Sequence, residues 1–141
     1  MAHEECVFCR IIRKELPSFE IYSDSYVLAL LDINPVSEGH TLVIPRNHSD
    51  NLSDVDPVIF GKMMDRARII SGSMVKSGFA EGTNIFIANG TGAEQTIPHL
   101  HVHVVPRRKG DDIELNRWWS SKVIEVSSDR MAEITELLRN R

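Results

Sequence analysis

Residues 98 to 106 read Pro98-His99-Leu100-His101-Val102-His103-Val104-Val105-Pro106, an alternation with the two-residue period of a β-strand. On a strand, alternate residues share a face. Leu100, Val102 and Val104 then turn toward a core while His99, His101 and His103 project together about 7 Å apart. Any fold for this chain must give that strand a buried side and leave the other side for three titratable rings. Near neutral pH an imidazole is neutral often enough to attack an electrophile and cationic often enough to help a leaving group depart. The middle ring, His101, is best placed as nucleophile. Zinc sites also use closely spaced histidines, so the triad alone leaves catalysis and metal binding both open.

The segments around it supply the rest of a sheet. Phe8 to Glu15 reads as a short helical turn closed by Pro17. Glu20 to Tyr22, Tyr26 to Asp32 and Thr41 to Pro45 read as short strands, with turns at Asn34-Pro35 and Glu38-Gly39. Asp56 is a helix N-cap with Pro57 at the first helical position; Ile59, Met63, Ala67, Ile70 and Met74 recur three and four apart, and Gly78 ends the run. Thr83 to Ala88 and Ile97 to Val105 are expected strands, separated by Asn89-Gly90-Thr91-Gly92, with Pro106 stopping the second. A final helix is expected from Asp129 to Leu138. Strands without the long crossover helices of a parallel sheet predict an antiparallel sheet with helices beside it, an α+β fold. A chain of 141 residues with no repeat or linker-like tract reads as one domain over residues 1–141.

A net charge of −4 argues against a nucleic-acid or membrane-surface partner, so an anionic ligand has to be held locally. Apolar runs such as Val27 to Leu31 are far shorter than the ~20 residues a membrane helix needs. The N-terminal residues lack the apolar stretch of a secretory signal, and a cytoplasmic location is expected. His3 is expected to be disordered. The two cysteines, Cys6 and Cys9, are too few for a disulfide scaffold, which leaves metal or redox chemistry for the C-x-x-C. A thioredoxin-like role lacks its usual βαβ setting.

Before the triad lies Asn89-Gly90-Thr91-Gly92-Ala93-Glu94-Gln95-Thr96, rich in amide and hydroxyl donors. After it come Arg107, Arg108 and Lys109. Donors on one side and cations on the other suit a phosphate.

With the triad, four further stretches, Cys6-Val7-Phe8-Cys9-Arg10-Ile11-Ile12, Leu31-Asp32-Ile33-Asn34-Pro35-Val36, Gly39-His40-Thr41-Leu42-Val43-Ile44-Pro45 and Ala93-Glu94-Gln95, make the chain resemble the histidine-triad (HIT) superfamily over nearly its whole length, and its Hint-like branch most. The resemblance implies a HIT-like α+β fold: an antiparallel sheet of about five strands per subunit with one long and one C-terminal helix. It also implies a homodimer whose subunits join into one continuous sheet. The implied activity is hydrolysis at the α-phosphate of purine nucleotides through a nucleotidyl intermediate on His101. Adenosine phosphoramidate and diadenosine polyphosphate are the candidate substrates, and AMP is the product. His103 matches a phosphate contact, and Gln95, Thr96 and Asn89 match polar contacts to phosphate or leaving group. Asp32 matches a ribose ligand, one carboxylate accepting from two hydroxyls, although a turn aspartate at a strand end is an equally simple role for it. Val7, Phe8, Ile11, Leu30 and Ile33 match an apolar slot for the base that doubles as core.

In cysteine-bearing members a structural zinc is held by residues matching Cys6, Cys9, His48 and His99, which would take His99 out of acid–base chemistry. His40 reads as a hydrogen-bonded structural histidine. Glu94 stands where the family usually has Gly, and is expected to point outward. Trp118 and Trp119 have no assignment from sequence; they could cover the site, pack at a subunit contact or fill core. A non-catalytic nucleotide-binding or partner-binding module, or a zinc-binding structural protein, is the competing reading.

Overall fold

A computed structural model of the chain describes residues 2–139, and side chains from residue 4; the expectation for the His3 side chain lies outside the described residues. The chain divides into two compact units, one reaching Asp111 and one starting at Asp112.

The first unit opens with helices α1 (Ala2–Glu5) and α2 (Val7–Ile12). Strands β1 (Glu20–Ser23), β2 (Val27–Leu31) and β3 (Thr41–Pro45) follow, then the long helix α3 (Pro57–Lys76) and strands β4 (Gly82–Phe86) and β5 (Val102–Arg107). The five strands form one antiparallel sheet in the order β1-β2-β3-β5-β4, as the segment pattern predicts. Helix α3 begins where expected: the Asp56 carboxylate accepts from the N–H groups of Val58 and Ile59, and Pro57 needs no partner for a missing N–H. Its buried stripe, Met63, Ala67, Ile70 and Met74, packs on Val27, Ala29, Val43, Val102 and Val104 from one face of the sheet. Leu28, Leu30, Leu42 and Ile44 face the other way and pack on Cys6, Phe8 and Cys9 of the α2 region. Central strands β2 and β3 are therefore buried on both faces, which is why their sequences are nearly unbroken apolar runs.

Helix α2 ends at Ile12 rather than Glu15, and strands β4 and β5 depart from their expected boundaries as well. Strand β5 starts at Val102, not Ile97, because the Leu100 N–H donates to the Ser49 carbonyl at 2.7 Å and so leaves the ladder for the loop after β3. Pro106 does not stop the strand but lies inside it, paired with Thr83 of β4. Its carbonyl accepts from Ser37 Oγ on the side where β3 pairing has already ended at Val104, so no strand neighbour asks for its absent N–H. Strand β4 ends at Phe86, opposite His103, rather than at Ala88.

The second unit holds α4 (Leu115–Lys122) and α5 (Ser128–Arg139). The latter matches the expected C-terminal helix. The former was not anticipated, although Leu115, Trp118 and Trp119 recur at i, i+3 and i+4, because that spacing runs for only about two turns. Trp118 and Trp119 are 56% and 68% exposed, so neither fills a core. No helix among the described residues is long and apolar enough to cross a membrane.

Candidate active site

The triad histidines lie on the α2 side of the sheet, opposite the α3 core, because Leu100, Val102 and Val104 take that core with no exposed surface. The rings of His101 and His103 sit 4.9 Å apart, closer than straight-strand spacing, since His101 precedes the ladder and its ring tilts toward its neighbour. Both rings border a cavity of about 520 Å³, a size typical of small-ligand sites. Phe8, Ile11, Leu30 and Ile33 line it with Val7, Asp32 and Thr96. Leu16, Pro17, Ser18, Asn34, Leu42 and Ile97 also line it and had not been foreseen.

Hydrogen bonds with unambiguous direction assign the proton of each ring. The carbonyl of His99 can only accept, so the 2.8 Å contact from His101 Nδ1 puts a proton on Nδ1, and in the neutral ring the lone pair is then on Nε2. His99 Nε2 lies 2.9 Å from the Pro45 carbonyl, and His48 Nε2 lies 2.7 Å from Asp50 Oδ1, so both carry a proton on Nε2, and in the neutral rings the lone pair is on Nδ1. The Val36 N–H donates to His40 Nδ1 at 3.2 Å, which leaves the His40 proton on Nε2, 2.9 Å from His103 Nδ1. Burial, together with the neighbouring imidazoles, pushes the His103 pKa down to about 4. Burial also lowers that of His40, against the pull of Asp32. Both are thus neutral near pH 7. A chain of neutral imidazoles suits hydrogen bonding to phosphate oxygens, not ion pairing with them.

The two freed Nδ1 atoms meet the cysteines. His99 Nδ1 is 3.3 Å from Cys6 Sγ and 3.6 Å from Cys9 Sγ, and His48 Nδ1 is 3.2 Å from Cys9 Sγ. The four donor atoms lie within 4.8 Å of one another. Tetrahedral zinc at its usual bond lengths sets sulfur and nitrogen about 3.5 Å apart, so this donor set fits the metal in identity, number and spacing. Each imidazole also has its far nitrogen held by an oxygen, the outer support that metal-bound histidines need. Burial and the Cys6 thiol raise the Cys9 pKa to about 11, against the pull of the Arg13 charge. A second group, Asp32, His40 and His103, also brings three donor atoms close together. It is a hydrogen-bonded chain rather than a cage, because His40 Nδ1 is occupied by a backbone N–H.

Several expected phosphate contacts lie elsewhere. The Gln95 amide accepts from the Gly90 N–H at 2.8 Å and donates to the carbonyls of Asp50 and Ile97 at 2.6 and 2.9 Å. Asn89 Oδ1 accepts from the Leu52 N–H. Neither side chain lines the cavity; both tie the 89–97 loop to the segment after β3. The basic trio is a correction: none of Arg107, Arg108 and Lys109 lines the cavity. Arg107 is held by Asp111 and Asn84, and Arg108 lies over the Phe79 ring and donates to backbone carbonyls. Strand β5 carries these residues past the histidines at ~3.3 Å per residue, out of reach. Asp32 does serve its turn, accepting from the Asn34 N–H at 2.8 Å, and also borders the cavity.

Sequence reasoning missed Phe86. Its ring stacks on His103 at 4.4 Å and 9°, and it is the direct cross-strand partner of that histidine. Only strand register reveals such a pair; an aromatic at the end of an edge strand carries no local signal. Glu94 is exposed, as expected, and its φ of 64° explains why glycine suits this position. Glu94→Gly should stabilise the protein by about 1 kcal/mol by removing a left-handed non-glycine residue. A thermal melt checks this, and a lowered midpoint would contradict the strain argument.

A family model described as the HIT domain matches residues 13–110. An adenylylsulfatase of Arabidopsis thaliana is 39% identical over 124 residues, covering 88% of this chain and 60% of that protein. An adenosine 5′-monophosphoramidase of Candida albicans is 31% identical over 146 residues, covering 98% of this chain and 91% of that protein. A zinc-bound histidine triad family protein from Mycobacterium smegmatis superposes with a TM-score of 0.76 at 40% identity, covering 80% of this chain and 82% of that chain.

Proposed function

We propose, from the premise that this chain belongs to the HIT family, that it is a hydrolase cleaving a bond to the α-phosphorus of a purine nucleotide through a nucleotidyl intermediate on His101. The observation that carries the reading is the 2.8 Å hydrogen bond from His101 Nδ1–H to the His99 carbonyl. It turns the Nε2 lone pair into the nucleophile in a wall of the cavity. Similarity to relatives named adenylylsulfatase and adenosine 5′-monophosphoramidase supports the substrate class.

In the first step His101 Nε2 forms a bond to the α-phosphorus, and the bond from phosphorus to the leaving nitrogen or oxygen breaks with its electron pair, the leaving atom taking up a proton from water. The attacking ring becomes cationic, and the His99 carbonyl is already aligned to stabilise the acidified Nδ1–H. His103 offers its Nε2–H to the phosphate oxygens. In the second step water adds to phosphorus, the phosphorus–nitrogen bond breaks, and the nucleoside monophosphate leaves with a proton lost to solvent. The base occupies the slot of Val7, Phe8, Ile11, Leu30 and Ile33, Asp32 accepts from the ribose hydroxyls, and Thr96 contacts phosphate. Gln95 and Asn89 act by holding the loop that borders the site. We read Cys6, Cys9, His48 and His99 as the residues that would hold a structural zinc, which when bound would cross-link the N-terminal segment to the triad segment. The protein is read as a cytoplasmic homodimer, each chain one HIT domain over residues 1–141.

The test is release of AMP from adenosine 5′-phosphoramidate and from diadenosine tetraphosphate by zinc-loaded protein. Turnover of either supports the proposal, and the ratio of rates selects the phosphorus–nitrogen or the phosphoanhydride bond. AMP bound at one per chain, with neither compound consumed, would replace the enzyme by a nucleotide-binding module.

A further inference from the structure

We propose that His40 is a positioning residue: it locks His103 in the single tautomer that carries its proton on Nε2, so that the ring always presents a donor, never a lone pair, to the substrate phosphates. The kinetic part of this inference rests on the hydrolase reading above; the tautomer itself does not.

The direction of the chain originates in the backbone. The Val36 N–H cannot act as an acceptor, so its 3.2 Å contact obliges His40 Nδ1 to hold a lone pair. The one proton of neutral His40 is then on Nε2. Two acceptors are near it: His103 Nδ1 at 2.9 Å and Asp32 Oδ2 at 3.7 Å. Only the first is within hydrogen-bond range. His103 Nδ1 therefore accepts, and its own proton is forced onto Nε2, the ring nitrogen left for the cavity.

Two further observations make the lock rigid. His40 is 4% exposed, in the loop that closes into β3, so water does not compete for its ring. Phe86 stacks on His103 from β4, and Leu42 is the direct partner from β3, so the ring is flanked on both strands. A ring flip that exchanged Nδ1 for Cδ2 would lose the His40 hydrogen bond. Free neutral imidazole has both tautomers available; a phosphate oxygen facing the wrong one would meet a lone pair and be repelled.

The experiment uses full-length, zinc-loaded protein with 15N-labelled histidine. Long-range proton–nitrogen correlation near neutral pH reports which ring nitrogen of His103 carries the proton. The wild type should show the Nε2–H pattern alone, and a His103 proton on Nδ1 would overturn the proposal without any variant. His40→Phe keeps ring volume but removes the donor, and should yield a mixture of tautomers at His103. With adenosine 5′-phosphoramidate its kcat should fall by about tenfold to a hundredfold, with KM within about threefold, as for loss of one aligned donor. His40→Gln restores an N–H near the former Nε2 and should recover most of the rate and the single tautomer. Equal losses in the Phe and Gln variants, with the tautomer unchanged in both, would mean that His40 only fills space. Were the wild type inactive on every nucleotide offered, the hydrolase reading would fail, while the correlation spectra of wild type and His40→Gln would still decide the tautomer.

Discussion

His101→Ala should lower the rate of AMP release by at least about four orders of magnitude while leaving AMP binding within a few-fold of wild type. The size follows from what the substitution removes. If His101 Nε2 is the nucleophile, no other group in the cavity replaces it: His103 is committed as a donor on Nε2 and as an acceptor from His40 on Nδ1, and His99 faces the cysteines. Deleting a nucleophile leaves only binding and electrostatic contributions, and losses of that order are usual. The apolar wall of the cavity, by contrast, is formed by Phe8, Ile11 and Leu30, which the substitution does not change. Single-turnover kinetics and calorimetric titration with AMP measure the two quantities. A residual rate within about tenfold of wild type would remove His101 from the mechanism.

Stripping the metal from purified protein should lower its stability by about 4 kcal/mol under conditions where free zinc had stood near a thousandfold above its dissociation constant. For a chain of this length that is a drop of roughly 10 °C or more in Tm. The physical cause is the buried donor set. Cys6, Cys9 and His99 are nearly inaccessible to water, and the Cys9 thiol, whose pKa stands at about 11, stays protonated without a cation, so that weak thiol–imidazole hydrogen bonds to His48 and His99 stand in place of metal–ligand bonds. Activity should fall along with stability, because His99 supplies the carbonyl that orients His101. Elemental analysis should find one zinc per chain, and Cys9→Ala should neither retain it nor respond to chelation. An unchanged melt after chelation, or a metal-free native protein, would reject the site.

Legibility in the sequence varied with how local the controlling physics was. Helix α3 could be drawn almost to the residue because its cap, its proline and its apolar stripe lie within one segment. The strands were visible, but Pro106 misled, since whether a missing N–H matters depends on a neighbour strand that the sequence does not announce. The cavity lining was legible only through family resemblance. Leu16, Pro17 and Ser18 reach the cavity from a connection with no motif, and Phe86 touches His103 solely through register. The basic trio looked like a phosphate site because adjacency in sequence was taken for adjacency in space.

What the sequence determined by itself is the inventory and the alternation: three imidazoles on one face of an extended segment, two thiols with helical spacing, and apolar runs for a sheet buried on both sides. Those depend on the periods of strand and helix, which act over a few residues. What only the tertiary structure decided is which nitrogen of His99 and of His103 carries the proton. That choice belongs to partners far away in the chain: Pro45 for His99 and His40 for His103. A histidine has two nearly equivalent tautomers, and a hydrogen bond from a distant segment is enough to select one. The chemistry available to the triad is thus set by contacts that exist only once the sheet has closed.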